Sequence, residues 1–152
     1  MFCDISLSRP LREGFHSIFS SKENGCCHIG RNVDKSYVRQ YRVDKDIYGT
    51  TSREPRCDYL LLNDDKRTAY FIELKGSDIE RAIEQIDHSV SEISPSLGYV
   101  VFRRIVYHTG SHKVNSQKVS RWKAKYKGFV KIQSTKIVED IRHYKTKIIR
   151  RY

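Results

Sequence analysis

Two apolar segments joined by a short polar connection constrain the fold of this chain more than any other feature. Residues 57–62 and 68–75 are rich in leucine, isoleucine and aromatic side chains, and residues 63–67 between them are all polar. Apolar runs of this length bounded by turn-forming residues are typical of strands. The five-residue connection is short enough for the two strands to pair directly. We therefore expect an antiparallel hairpin.

A long helix is predicted directly after this hairpin. Ser77 and Glu80 have the S-x-x-E spacing of a capping box, which favours a helix start. Apolar residues then recur at helical spacing along one stripe, namely Ile79, Ala82, Ile83, Ile86, Val90 and Ile93. Pro95 and Gly98 are expected to close the helix. The stripe indicates a helix packed on the sheet.

The remaining segments predict one α/β domain covering residues 1–152, with a basic C-terminal part at 97–152. Leu11, Phe15, Ile18 and Phe19 have helical spacing, with Ser8 as a cap, and predict a first helix. The further expectations are a loop at 21–32, strands at 37–43, 99–108 and 129–134, a connecting loop at 44–56, and helices at 114–126 and 136–144. The predicted order is helix, three strands, helix, strand, around a central mixed sheet.

Charge is unevenly distributed along the chain. The formal net charge is +11, but residues 97–152 alone hold 15 Lys/Arg against two acidic residues, Glu139 and Asp140. Residues 1–96 hold 14 Lys/Arg against 16 Asp/Glu and are slightly acidic. Such asymmetry favours a polyanion partner, because each cation that neutralises a phosphate releases counterions. A basic solubilising tail is the alternative.

Other classes of protein and site are disfavoured. No apolar run is long enough to span a bilayer, and the N-terminus lacks the basic and apolar parts of a signal peptide. We therefore expect a cytoplasmic protein with reduced cysteines and no membrane association. Cys26, Cys27 and His28 are adjacent, but they lack the two-residue spacer and second Cys/His pair of a zinc knuckle.

Chemistry is predicted at one end of the hairpin. Asp58 begins the first strand, and Glu73 and Lys75 end the second, on the same face because side chains alternate along a strand. Two carboxylates that meet there provide the hard oxygen ligands that Mg²⁺ or Mn²⁺ prefers, and a nearby ammonium can orient water. An ordinary salt bridge at the rim of the sheet is the alternative.

The order of these residues resembles the signature of the PD-(D/E)XK nuclease superfamily. Asp58 is followed by the hairpin and by Glu73-Leu74-Lys75-Gly76. The next helix, with Ala82-Ile83-Glu84-Gln85-Ile86, is similar to the Gln-bearing helix of Holliday-junction resolvases and RecB-like nucleases. The resemblance covers residues 36–108, about half of the chain. It implies a restriction-endonuclease-like αβββαβ core and DNA hydrolysis.

The resemblance also implies a role for each matching residue. Asp58 and Glu73 would bind Mg²⁺ or Mn²⁺, with the Leu74 carbonyl as a further metal ligand. Lys75 would position the attacking water. Gln85 would reach back toward the site or the DNA backbone, and an ordinary solvated helix position is the alternative.

Two features depart from the family pattern. Cys57 stands directly before Asp58, where the family often has proline, and Pro55 lies further back. The family also often carries an acidic residue on its first helix. Glu13 is the expected catalytic residue there, with Glu23 as the alternative.

The basic third is expected to hold the DNA backbone. Its predicted nucleic-acid-binding residues are Arg103, Arg104, Lys113, Lys118, Arg121, Lys123, Lys125 and Lys127. Trp122 and Tyr126 lie four apart on the predicted helix, where they either pack against the core or stack on a base. Core packing is the expected use of Trp122.

Three functional hypotheses follow. The first is a metal-dependent endonuclease that hydrolyses DNA phosphodiester bonds; a homodimer would supply the two active sites that paired strand cuts usually need. The second is a non-catalytic nucleic-acid-binding protein on a nuclease-like scaffold. The third is a basic adaptor for an acidic protein.

Overall fold

The computed structural model describes residues 4–49, 54–74, 78–108 and 113–142. The described strands are β1 Arg12–Gly14, β2 Ile18–Glu23, β3 Cys26–Arg31, β4 Val38–Arg42, β5 Tyr59–Asn63, β6 Thr68–Leu74, β7 Val100–Tyr107, β8 Val130–Ser134 and β9 Lys136–Asp140. The helices are α1 Ile79–Leu97 and α2 Gln117–Lys125, with a 3-10 turn at Ile5–Leu7 and a π-helical segment at Val43–Tyr48. Neither α1 nor α2 combines the length and the apolar composition needed to cross a bilayer.

A mixed six-stranded sheet forms the centre, in the order β1-β4-β5-β6-β7-β8. Within this sheet, the neighbours among β1, β4, β5 and β6 pair antiparallel, whereas β7 and β8 run parallel to β6. A second sheet of three strands, β2-β3-β9, pairs β3 with β9 in parallel. The predicted α/β class with a central mixed sheet is confirmed.

Each face of the large sheet carries its own core. On one face, Phe71 and Ile105 pack with Ile83 and Ile86 of α1 and with Trp122 of α2. On the other face, the core comprises side chains from both sheets, namely Phe19, Cys26, Val38, Leu61, Tyr70, Ile72, Leu74, Phe102, Val106, Ile137 and Ile141. Because both faces are covered, every residue of β6 is buried, including Glu73.

The predicted hairpin and long helix are confirmed, with a change at the helix ends. Tyr59 of β5 lies opposite Ile72 of β6. The N-cap of α1 is Asp78, whose Oδ1 accepts from the backbone N–H of Glu80 and of Arg81; Ser77, the predicted cap, lies outside the described residues. Pro95 lies inside the last turn, and Gly98 ends the helix in the left-handed conformation.

The predicted first helix is wrong. The segment forms β1 and β2 instead, and its apolar residues Leu11, Phe15 and Ile18 are exposed while Phe19 alone is buried. Burial alternates along β2, which is the period of a strand rather than a helix. The helical spacing in the sequence was therefore coincidental.

The predicted loop at 21–32 is also wrong, because it contains most of a hairpin. Asn24 and Gly25 both have positive φ, at 48° and 80°, and connect the paired residues Glu23 and Cys26. Asn-Gly is the preferred sequence of such a two-residue turn, so the sequence held a signal for this hairpin. The three residues Cys26 to His28 lie in β3, where Cys27 faces away from its neighbours.

The C-terminal prediction is correct until its last element. Strand β7, helix α2 and strand β8 lie within their predicted segments. Residues 136–140 form β9 rather than a helix, with Ile137 buried and Val138 exposed. Pairing with β3 explains the difference, since a tertiary contact decides the structure of a short polar segment. Residues 143–152 lie outside the described residues.

Candidate active site

Asp58 and Glu73 lie side by side at one end of the β5–β6 hairpin. The Asp58 N–H donates to the Ile72 carbonyl at 3.0 Å. The Leu74 N–H donates to Asp58 Oδ2 at 2.8 Å. Asp58 therefore contacts the backbone on both sides of Glu73, and the structure brings the two predicted acids together. Lys75, the third predicted residue, lies outside the described residues.

Glu73 is buried on the helix-facing side of the sheet. Its side chain is on the same face of the sheet as Phe71, which packs against α1. Glu73 is only 2% exposed. It is the one acidic residue of β6, which is otherwise apolar apart from Thr68, and it lies next to Ile105 on β7. It also lies at the carboxyl end of parallel strands, the edge where open α/β sheets bind ligands. A buried carboxylate is costly unless it is paired or binds a metal.

Helix α1 holds the segment that leads into Asp58. Gln85 Nε2 donates to the Arg56 carbonyl at 3.3 Å, and one turn later Ser89 Oγ accepts from the Cys57 N–H at 2.9 Å. Gln85 thus contacts the backbone two residues before Asp58. Ser89 is buried and was not singled out in the sequence, where a serine within a polar helix face carries no signal.

The Cys57 thiol reflects the charge at this end of the hairpin. Its burial raises its pKa, and the negative charges of Glu73 and Asp58 raise it further, while the hydrogen bond from Ser89 opposes both. The shared effect of the two carboxylates on one thiol is consistent with their proximity.

Glu13 is not part of this end of the sheet, so the structure does not bring it together with Asp58 and Glu73. It lies on β1 opposite Arg39 and accepts a hydrogen bond from the Tyr37 hydroxyl at 2.7 Å. Arg39 in turn pairs with Leu62, three residues along β5 from Tyr59. The residue was placed on a first helix that does not form.

The alternative acid, Glu23, faces the same groove as Asp58. This groove, of about 450 Å³, is lined by Lys22, Glu23, Arg42, Asp44, Lys45, Cys57, Asp58 and Tyr59. Burial raises the pKa of Tyr59, and the carboxylates of Glu23 and Asp58 add to this effect. Glu23 ends β2, so the β2–β3 hairpin, which the sequence prediction missed, places it in this groove.

The donors present fit a hard divalent cation. Asp58 and Glu73 supply carboxylate oxygens, and the Leu74 backbone follows directly after Glu73. Mg²⁺ and Mn²⁺ prefer such oxygen ligands and are usually held by one or two carboxylates together with substrate phosphates. The donor set contains no thiolate or imidazole that would favour zinc.

A second acidic cluster lies along α1. His88 Nε2 is 3.4 Å from Glu92 Oε2 and 3.7 Å from Glu54 Oε1. In the described part of the chain, these three residues form the one group of three His, Cys, Asp or Glu ligand atoms within 4.8 Å of one another. Arg56 also contacts Glu54, at 3.2 Å, and the Tyr48 hydroxyl donates to Glu92. Both carboxylates of this cluster already have partners without a metal, Glu54 in Arg56 and Glu92 in Tyr48.

Two of the eight predicted DNA-binding residues are buried and paired with acids, which leaves little of either side chain exposed for a phosphate contact. Arg103 is 8% exposed, stacks 3.7 Å from the centre of the Tyr126 ring and lies 3.4 Å from Asp87. Arg104 is 6% exposed and donates to both oxygens of Glu139, at 2.8 and 2.9 Å. The two arginines are adjacent in the middle of β7, so their side chains point to opposite faces of a sheet that is covered on both sides.

The remaining basic residues lie at the surface. Lys113 pairs with Asp78 at 3.2 Å, and Lys118 pairs with Glu84 at 2.9 Å. The other four predicted DNA-binding residues, Arg121, Lys123, Lys125 and Lys127, are exposed along and just after α2. Trp122 is 6% exposed, packs in the core and donates from Nε1 to Asp87, which confirms its expected use.

Comparison with protein-family models, with curated proteins and with solved structures finds no match to this chain.

Proposed function

We propose that this chain is a metal-dependent DNA endonuclease whose active site is built on Asp58, Glu73 and Lys75. One observation carries the proposal. The Asp58 carboxylate accepts from the Leu74 N–H, at the end of a buried strand whose one acid is Glu73. Two carboxylates side by side at a strand end supply the oxygen ligands that a divalent cation takes.

The order of elements supports a restriction-endonuclease-like core. Strands β4, β5 and β6 form an antiparallel meander, and α1 then connects β6 to the parallel strand β7. This is the strand, strand, strand, helix, strand part of the proposed core. Its first helix is replaced by β1 and β2, so the likeness is limited to the part that carries the acids.

Each residue has a distinct part in the proposed chemistry. Asp58 and Glu73 hold the cation together with the Leu74 carbonyl. A bound divalent ion neutralises the charge that develops on the phosphate and lowers the pKa of water. Lys75 lies outside the described residues; in the proposal its ammonium orients the attacking water. Gln85 and Ser89 act as positioning residues, since they fix the segment before Asp58.

Plasmid cleavage tests the proposal. Wild-type protein should cut supercoiled DNA with Mg²⁺ or Mn²⁺ and not with EDTA. Asp58→Asn and Glu73→Gln, which keep the shape of each side chain, should reduce cutting to the EDTA level. Glu84→Gln is the matched control, because Glu84 is an exposed acid of α1 that pairs with Lys118, and it should cut normally.

Metal binding provides a second readout. Calorimetric titration with Mn²⁺ should show one site in the wild type that is lost in Asp58→Asn. Wild-type-like cutting by both site variants would refute the proposed active site.

A non-catalytic nucleic-acid-binding function is the second candidate. The exposed cations Arg121, Lys123, Lys125 and Lys127 along and after α2 favour it, because they need no metal to contact phosphates. Salt-sensitive DNA binding without any cutting would support this function instead of hydrolysis.

A further inference from the structure

The groove beside Asp58 brings together residues that are far apart in the chain. Lys22 and Glu23 come from the end of β2, and Lys45 comes from the π-helical segment after β4. The Tyr59 hydroxyl donates to the Lys22 carbonyl at 3.4 Å, which ties β2 to the start of β5. Asp58 itself lines the groove, so the groove lies beside this proposed metal ligand.

Some charges of the groove are already neutralised by neighbours. Arg42 makes a two-pronged contact with Asp46, including Nη2 to Oδ1 at 2.8 Å. Asp44 pairs with Arg56 at 3.1 Å. These two groups contribute little net charge to a ligand.

The two lysines remain available. Both Lys22 and Lys45 are exposed, and neither forms an ion pair with any residue in the described ranges. The carboxylates of Glu23 and Asp58 line the same groove, so its lining combines cations and acids. A free anion would meet the acids as well as the lysines. A phosphodiester backbone that spans the groove can instead place successive phosphates against the two separate lysines.

We propose that Lys22 and Lys45 form a phosphate-binding site for the DNA backbone, next to the proposed metal ligand Asp58. This inference rests on the nuclease function proposed above and specifies its substrate contacts. It assigns DNA binding to residues 1–96, the part of the chain that is slightly acidic overall, because folding brings two of its cations to the groove. The basic C-terminal third then contacts other parts of the same DNA.

Salt-dependent binding tests the site without requiring cleavage. The background is Asp58→Asn in EDTA, which does not cut and whose amide oxygen still accepts from the Leu74 N–H. Fluorescence anisotropy of a short labelled duplex is followed over a series of KCl concentrations. Lys22→Gln and Lys45→Gln should each lower the slope of log affinity against log salt by about 1, and the double variant by about 2.

Lys66→Gln is the matched control. Lys66 lies in the turn at the opposite end of the same hairpin, and its 4.0 Å contact with Asp34 is weak. It should leave the slope unchanged. Circular dichroism of each variant shows whether the fold is retained.

The outcomes separate this site from the proposed catalysis. An unchanged slope in the double variant, an equal loss in Lys66→Gln, or no DNA binding by the wild type would overturn the site. Displacement of the duplex by inorganic phosphate, at ionic strength matched with KCl, would also overturn it in favour of a small-anion site. Cutting by the wild type with an unchanged slope would leave the nuclease proposal standing, whereas a reduced slope without cutting would refute only catalysis.

Discussion

Replacing Glu139 with glutamine should destabilise the fold by about 3 kcal/mol. Glu139 joins the two sheets: it accepts from Arg104 of β7 at 2.8 and 2.9 Å and from His28 Nε2 of β3 at 2.6 Å. The side chains of His28, Arg104 and Glu139 are 0%, 8% and 10% exposed. Glutamine nearly preserves the volume but leaves the Arg104 charge buried without its counter-ion.

The magnitude follows from the pKa of Glu139. Burial raises this pKa, but the hydrogen bonds from His28 and Arg104 outweigh burial and bring it from 4.5 to about 2. That difference corresponds to about 3 kcal/mol. Because the folded pKa is the lower one, this stability is fully present above about pH 5 and is lost as the pH falls toward 2. Acidification through this window should therefore destabilise the wild type more than the variant.

Urea and thermal unfolding at neutral pH measure the effect. For a chain of this size, about 3 kcal/mol lowers the Tm by roughly 6–12 °C. Asp140→Asn is the control, because the neighbouring Asp140–Arg31 pair is 30% and 54% exposed and should be worth less than about 1 kcal/mol. If the two variants unfold within about 1 kcal/mol of each other, the reasoning about the buried triad is refuted.

Two further predictions concern packing and thiol chemistry. Gly30→Ala should lower the free energy of unfolding by about 1–3 kcal/mol, because an added Cβ would lie 2.9 Å from the Ile141 side chain and 3.3 Å from that of Leu61. Urea unfolding measures this change, and an unchanged free energy would contradict the close approach of the two sheets. In a variant that retains Cys57 alone, the thiol should react with an aromatic disulfide only slowly until urea is added, because burial and its raised pKa suppress the thiolate. A variant that retains only the half-buried Cys27 should react without unfolding, and equal native rates would contradict the prediction.

The strongest local patterns in the sequence predicted the central part of the fold. The β5–β6 hairpin and α1 form as predicted, because their apolar patterns repeat over long segments and both faces of β6 become buried. The neighbouring positions of Asp58 and Glu73 followed from the same register. Predictions failed where a segment was short or polar, as at residues 11–19 and 136–144, since pairing with distant strands decided the outcome there.

The sequence by itself determined which residues are chemically able to form the site, and which end of the hairpin they occupy. Strand alternation and a short turn are local properties, so they can be read along the chain. Only the tertiary structure decided which charges are available. In the folded protein, Arg103 and Arg104 are buried against acids. Glu13 pairs with Tyr37 away from Asp58, whereas Glu23 lines the same groove as Asp58. The physical reason is that the exposure and the partners of a charged side chain depend on strands remote in sequence, about which a local pattern carries no information.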